Sequence, residues 1–565
     1  MKIHYHNLDV LTKIIFIFIF LASTHLTLSF AQNVPSIQWQ KCLGGSDNED
    51  PDNNARNFCI VRDGGYVIAH RTHSQDFNVA GSFNHGQDDA WIVKMNSLGS
   101  IQWQKCLGGS STDDAYSIIN TSDNGYVMAG WTASNDGDVS GQHNFNKLQQ
   151  NVDAWVVKLD SIGNIQWSKC YGGSRSDFAT SIIETSDGGY AFTGHTNSDD
   201  GDVSGNHIGI DLLGKPDTTE DIWVVKLSSS GSLEWQNCLG GTGAEVAYSI
   251  IQTTDGGYAI AGITNSKEEG FPNYGLGDAY IVKLTSSGGF QWQQIYGDSL
   301  QDGATSILQS SDGGFIFGGY TNSTIYDFSR PRKGDFWIVK LDTIGRGMWQ
   351  KSYGGSNWSF ASSIIKTAEG GYATVGTSYA NDRDIKGNHG NSDACVFKLT
   401  SSGIVEWQKS LGGSSADFGY TILQTPDGGY AINGCTYSND GDVSGNHSVF
   451  SLDPSLFPID VWFVKLSPES NSVENSNGGE THFLNAFPNP ASDQIHLQLS
   501  GSLTLKQVSF YNLMGTQYFP EYKLEQSVAT VDVHTLPSGS FVARIVYQDS
   551  HQNYLEQVQK FLHYR

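Results

Sequence analysis

The chain of 565 residues carries 65 glycines, only 13 prolines and 12% aromatic residues. That mixture suits many short strands and tight turns, and it excludes a helical bundle and a disordered chain. A formal net charge of −25 argues against nucleic acid or an anionic membrane as partner and favours a cation or a basic ligand.

Residues 1–31 read as a secretory signal peptide. Lys2 and Lys13 supply its positive region, and the apolar run Ile14–Ala22 is too short to span a bilayer. Ser29-Phe30-Ala31 places small residues before a cut at Gln32. No later stretch has the length of a membrane span, so none is expected in the mature chain. Seven cysteines follow, and four of them (Cys42, Cys106, Cys170, Cys238) stand at one offset after a tryptophan. Equivalent positions in separate repeats lie too far apart to bridge, and no CxxC or Cys/His cluster occurs. Buried free thiols are the expectation.

Residues 32–467 are organised by a repeat. Tryptophan recurs at Trp39, Trp103, Trp167, Trp235, Trp292, Trp349 and Trp407. After each comes a GG or GD turn, a segment such as AYSIINT, a DGGY-type turn, a strand such as YVMAGWT, a long polar loop and a strand such as DAWVVKL. A glycine turn between apolar runs signals a hairpin, and alternating β-branched runs signal strands. Seven units of four strands predict an all-β fold, a seven-bladed β-propeller. A β-solenoid is the alternative, but these units are too long for one rung. The array enters on the last strand of a unit and leaves on the third, so Ile37–Cys42 is expected to complete the blade formed by residues 419–466 and close the ring.

Several recurrent residues are candidates for chemistry. Third strands open with Asp89, Asp153, Asp221, Asp278, Asp335, Asp393 and Asp460, and a lysine recurs near their ends. A residue needed once per blade reads as structural, here as an acceptor for loop N–H groups. The tryptophans are expected to pack between blades. The loops SNDGDVSGQH, SDDGDVSGNH and SNDGDVSGNH place Asp136 and Asp138, Asp200 and Asp202, and Asp440 and Asp442 around a glycine. Paired carboxylates of this kind suit Ca²⁺, although no loop has the full spacing of a calcium motif; the other reading is an Asx-turn that orders the loop. No other cofactor is called for. Asp113, Asp177, Glu245, Asp302 and Asp417, with Asn53 and Ser359 in the remaining units, enter the first strands and are expected to ring one channel mouth. The alternative role is to cap neighbouring N–H groups. A variable second-strand position carries Trp131, His195 and Tyr320, and with nearby Trp358 these form a candidate ligand-reading surface.

Residues 468–482 are polar and read as a linker, and residues 483–565 read as a small β-sandwich. Within them, Phe487-Pro488-Asn489-Pro490, Tyr511-Asn512-Leu513-Met514-Gly515, Leu536-Pro537-Ser538-Gly539 with Phe541 and Arg544, and Lys560-Phe561-Leu562 form a spaced motif set. This set resembles the type A C-terminal sorting domain of the type IX secretion system. The resemblance implies contact with that secretion machinery, export across the outer membrane of a Bacteroidetes-type bacterium, removal of the tail, and a secreted or surface-attached product. The repeat resembles propeller arrays of exported proteins from such bacteria and, more distantly, kelch-like and Delta-60-type propellers. Three functional readings follow: a binding module for glycan or protein, a polysaccharide hydrolase or lyase acting at the channel mouth, and a structural adhesion component. No G-x-S-x-G, H-E-x-x-H or phosphate-loop motif supports catalysis.

Overall fold

The computed structural model describes residues 34–49, 57–81, 84–143, 151–207, 209–210, 216–217, 219–268, 275–322, 334–447, 459–469 and most of 484–563. The expected leader, most of the linker, Asn53, and Pro488, Asn489, Pro490 and Gly515 lie outside them. The described residues form strands, turns and loops without a helix.

Residues 34–469 form one unit. It is a seven-bladed propeller of four-stranded antiparallel sheets. Blade 1 comprises Phe58–Ile60, Tyr66–Thr72, Asp89–Met95 and Ile101–Leu107. Blades 2 to 6 begin their first strands at Asp113, Asp177, Glu245, Asp302 and Ser359. Blade 7 contains Asp417–Gln424, Tyr430–Thr436 and Asp460–Leu466, and its fourth strand is the N-terminal Ile37–Leu43. Cys42 pairs with Trp462 and Gln40 with Val464, so the ring is closed by hydrogen bonds between the two ends of the array.

The packing lies between blades. One buried cluster joins Val67, Ala69, Ala90 and Ile92 of blade 1 to Ile118, Met128, Trp155 and Val157 of blade 2. The fourth-strand tryptophan of one blade meets the ring that opens the second strand of the next. Trp103 and Tyr126 lie 5.8 Å apart at 62°, Trp235 and Tyr258 5.5 Å apart at 69°. Such edge-on pairs add to burial itself. The closure repeats this contact through Trp39 and Tyr66, 5.8 Å apart. Each third-strand indole turns inward and donates across to the fourth strand, as Trp91 does to Gln104 (3.1 Å) and Trp462 to Gln40 (2.9 Å).

The recurrent lysines are buried and therefore need partners. Those partners are the aspartates of the DGG and DNG turns. Lys158 reaches Asp123 at 2.9 Å and Lys340 reaches Asp312 at 2.8 Å, and each ammonium also donates to a backbone carbonyl. Burial raises the Asp123 carboxyl, but the Thr121 hydroxyl and Lys158 outweigh it and hold the group at about 2. In blade 6 the turn has Glu369 at that place, and Lys398 pairs with Glu406 instead (2.6 Å). All seven cysteines are free, buried or half-buried thiols.

The described part of residues 484–563 forms two four-stranded antiparallel sheets. Ile495 and Val531 are buried from one sheet, Phe510 and Ala543 from the other. Gly539 opens the strand Gly539–Gln548, and Lys560 lies in Tyr554–His563.

Ring closure gives a direct prediction. Trp39→Ala removes an indole from the last junction and should lower unfolding free energy by about 3–5 kcal/mol. Deleting Ile37–Leu43 should cost more, since it also exposes the edge of Asp460–Leu466. Denaturant unfolding checks both, and unchanged midpoints would contradict a closed ring.

Candidate functional site

Two sets of connections open on one face. One runs from second to third strand within a blade; the other carries the chain from one blade into the next. The crossing segment has the sequence GGS or a close variant, and its successive N–H groups form a concavity of the kind that binds anions. Here the anions are the protein's own carboxylates. Gly109 donates to Asp113 Oδ2 at 2.7 Å, Ser110 to Asp136 Oδ1 at 2.7 Å, and Ser111 to Ser134 Oγ at 2.9 Å. Asp138 accepts from Gly108 at 3.4 Å and returns its own N–H to the Gly108 carbonyl at 2.9 Å. Blade 3 repeats the arrangement with Asp177, Asp200 and Asp202, and blade 7 with Asp417, Asp440 and Asp442.

The first glycine of the segment is held between two blades. A methyl group on Gly108 would meet Asp113 Oδ2 at 2.6 Å and Asp89 Oδ1 at 2.7 Å. At Gly412 the flanking groups are Asp417 and Asp393, at Gly240 Glu245 and Asp221, and at Gly297 Asp302 and Asp278. The paired carboxylates are fully buried. Asp113 and Asp417 also accept from the hydroxyls of Thr132 and Ser134, and of Thr436 and Ser438. Asp113, Asp177, Glu245, Asp302 and Asp417 thus stand at the junctions between blades, capping N–H groups.

The third-strand aspartates complete the junction. Asp153 Oδ2 accepts from the His143 N–H (2.9 Å) and from its Nδ1 (2.6 Å). The same pairing joins His85 to Asp89, His207 to Asp221, His389 to Asp393 and His447 to Asp460. His143 Nε2 then faces Asp202 of the next blade at 3.5 Å. Among the described residues no group of three or more His, Cys, Asp or Glu converges as a metal site.

Three participants are hidden in the sequence. Glu49, rather than Asn53, occupies the Asp113 place in blade 1: it accepts from Gly45 (2.9 Å) and Thr72 (2.9 Å). An insertion after Glu49 breaks the spacing, and only the count of four residues from the second glycine could have shown the match. Asp76 takes the place of Asp136, accepting from Ser46 at 2.7 Å, in a loop where phenylalanine replaces the marker glycine. Glu268 performs the same task in blade 4 by accepting from Thr242.

The variable second-strand position packs on first strands. Trp131 donates to Tyr116 Oη at 2.9 Å, the His195 ring stacks on Phe178 at 4.4 Å, and Arg71 reaches Asp114 of the next blade at 3.6 Å. Tyr320 opposes Gly303, whose missing side chain makes room for its ring. Burial pushes the His195 imidazole down to about 4. Trp358, by contrast, is 45% exposed. So are other rings on this face: Phe77 (57%), Tyr437 (38%) and Tyr379 (37%). They belong to blades 6, 7 and 1, which are consecutive around the closed ring.

Against this geometry, residues 485–558 match the family described as the secretion system C-terminal sorting domain. The chain is type IX secretion cargo with a propeller ahead of its sorting tail, and that tail implies export to the outer surface or release. No curated protein matches the sequence. Among solved structures, the Pan2 WD40 domain of Neurospora crassa is similar at 9% identity, with a TM-score of 0.39, over 76% of this chain and 95% of that one. Sqt1 from Chaetomium thermophilum is similar at 10% identity and a TM-score of 0.36, over 70% and 97%. Pyrococcus horikoshii acylaminoacyl peptidase is similar at 11% identity and a TM-score of 0.36, over 79% of this chain and 57% of that one.

Two predictions come from the junctions. Gly108→Ala should cost about 1–3 kcal/mol by overpacking, whereas Gly347→Ala, whose nearest neighbour lies at 3.8 Å, should stay within about 0.5 kcal/mol. Paired chemical denaturations check this, and equal losses would contradict the clamp. The second concerns pH. Burial pushes Asp113, Asp177, Asp221 and Asp393 up to about 6, and Glu49 up to about 7. Hydrogen bonds to Asp153 and Asp460 raise His143 and His447. The five carboxyls bind more protons folded than unfolded, so their contribution is lost as pH rises from about 4 to 7, and that of His143 and His447 is lost above 6.5. His195 and His70, pushed down to about 4 and about 3 by burial, act in the opposite sense below 6.5, but two lowered imidazoles are outweighed by five raised carboxyls. Asp123, Asp187, Asp255 and Asp312 are held at about 2, so their contribution is lost as pH falls below about 4. Melting temperature should therefore peak near pH 4–5; a monotonic rise to pH 7 would contradict the assignment.

Proposed function

We propose that the propeller is a non-enzymatic extracellular binding module that uses its loop face to hold a glycan or protein ligand. The observation that carries this reading is the collection of exposed rings, Trp358, Tyr379, Tyr437 and Phe77, in three successive blades of that face. Solvent-exposed aromatics gathered in one sector mark a contact surface, and rigid rings supply contact area at low entropic cost. The loops beneath are fastened by carboxylate-to-amide bonds and so present the rings on a rigid frame.

The full chain screened against glycan and protein arrays tests the proposal, with analysis of reducing ends in the same samples. Binding without new reducing ends is expected. Tyr437→Ala should weaken it about tenfold or more, while Phe290→Ala, an exposed ring at the start of a fourth strand, should leave it unchanged. New reducing ends would favour the hydrolase reading, and loss of binding in Phe290→Ala alone would move the site off the loop face.

A further inference from the structure

The loop tips of blades 6 and 1 depart from the repeat in a way that costs stability. In blades 2, 3 and 7 the tip is glycine in the left-handed region: Gly137 at φ 64°, Gly201 at 67° and Gly441 at 63°. A side chain at Gly137, Gly201 or Gly441 would run into a carbonyl of the crossing segment. Blade 1 has Phe77 at the equivalent place with φ 45°, and blade 6 has Arg383 with φ 57°. The surrounding bonds are otherwise kept: Ser46 donates to Asp76 and Ser356 to Asp382, both at 2.7 Å. A bulky side chain in that conformation is strained by roughly 1 kcal/mol or more, and Phe77 also leaves its ring in water. Neither replacement improves the fold.

Both fall in the sector that holds the exposed rings. The Phe77 ring lies 5.1 Å from that of His447 in blade 7, and Tyr437 stands edge-on to Phe418 at 6.4 Å. In blade 6, Tyr379 donates its N–H to the Trp358 carbonyl at 2.8 Å, which ties two exposed rings to one short stretch of backbone. Arg383 and Lys386 are exposed in the same loop, next to Asp382 and Asp384.

Resting on the binding-face reading above, we infer that this sector, from Trp358 through Tyr437 to Phe77, holds an uncharged polysaccharide. Pyranose faces stack on the rings, and Arg383 hydrogen-bonds sugar hydroxyls. The charges select this class. A polyanion meets a protein of net charge −25. Within the sector Arg383 and Lys386 are balanced by Asp382 and Asp384, so a basic peptide finds no net charge there to pair with. An uncharged polyhydroxylated chain is compatible with both signs, and it offers flat apolar faces to aromatic rings and acceptors to a guanidinium.

The test uses the full chain and three probes: a soluble neutral β-glucan, polygalacturonate and polylysine, each followed by calorimetry at low and high salt. The β-glucan should bind with little salt dependence. Phe77→Gly and Arg383→Gly should each weaken binding about tenfold or more while keeping or raising the melting temperature, because each introduces the glycine that blades 2, 3 and 7 carry at that place. Preference for polygalacturonate or polylysine would overturn the uncharged class. β-Glucan binding that survives both glycine variants but is lost in Trp131→Ala would overturn the sector and leave the loop face standing. Absence of binding to every probe and to the arrays would remove both readings together.

Discussion

Each time the chain passes from one blade to the next, it leaves a sheet and must find acceptors for a run of unpaired amides. Unsatisfied buried N–H groups are costly, and this protein meets the demand with carboxylates of the blade being entered. Asp113 takes one amide, Asp136 another and Asp138 a third, while Asp89 of the preceding blade closes on the same glycine. The crossing residue has to be glycine because two carboxylates flank its Cα. Blade spacing, loop conformation and the placement of the second-to-third-strand loops all depend on this one arrangement.

The opposite ends of the blades use a different device for the same purpose. There a buried lysine binds the aspartate of a hairpin turn and a nearby carbonyl. The fourth-strand tryptophans fill the space between blades in contact with the following second strand. Acidic residues therefore include two sets with opposite proton linkage: Asp113 and Asp177 at the crossings are raised by burial, and Asp123 and Asp312 in the turns are lowered by ammonium and hydroxyl donors. The closing junction keeps the main parts of the others, with Trp39 against Tyr66, Glu49 at the Asp113 place, and Asn78 accepting from Gly44 as Asp138 does from Gly108. A ring closed without a covalent bond is held by the same contacts as its internal joints.

Much of this was legible in the sequence because it repeats. The tryptophan interval, the glycine turns and the alternating strands led to seven four-stranded blades and to the N-terminal strand as the closing element. The third-strand aspartates were readable as loop acceptors for the same reason. Spatial partners were less accessible. Lysine and turn aspartate each recur, but nothing in their spacing says that they meet across two strands. Glu49 was concealed by an insertion, and Asp76 by the phenylalanine that replaces a loop-tip glycine. At the variable second-strand position, Tyr320 opposes Gly303, Trp131 bonds Tyr116 and His195 stacks on Phe178; these first-strand partners were not readable from the variation alone. The exposed rings of blades 6, 7 and 1 became a group only when the ring closed, since Phe77 and Tyr437 are far apart in the chain.

Hydrogen exchange tests the central claim most directly. The amides of Gly109 and Ser111, Gly173 and Arg175, and Gly413 and Ser415 belong to no strand, yet each donates to a buried side chain. The account predicts that in the native protein they exchange as slowly as the flanking strands. Exchange as fast as the exposed turn amides around Leu98 and Ile162 would contradict it.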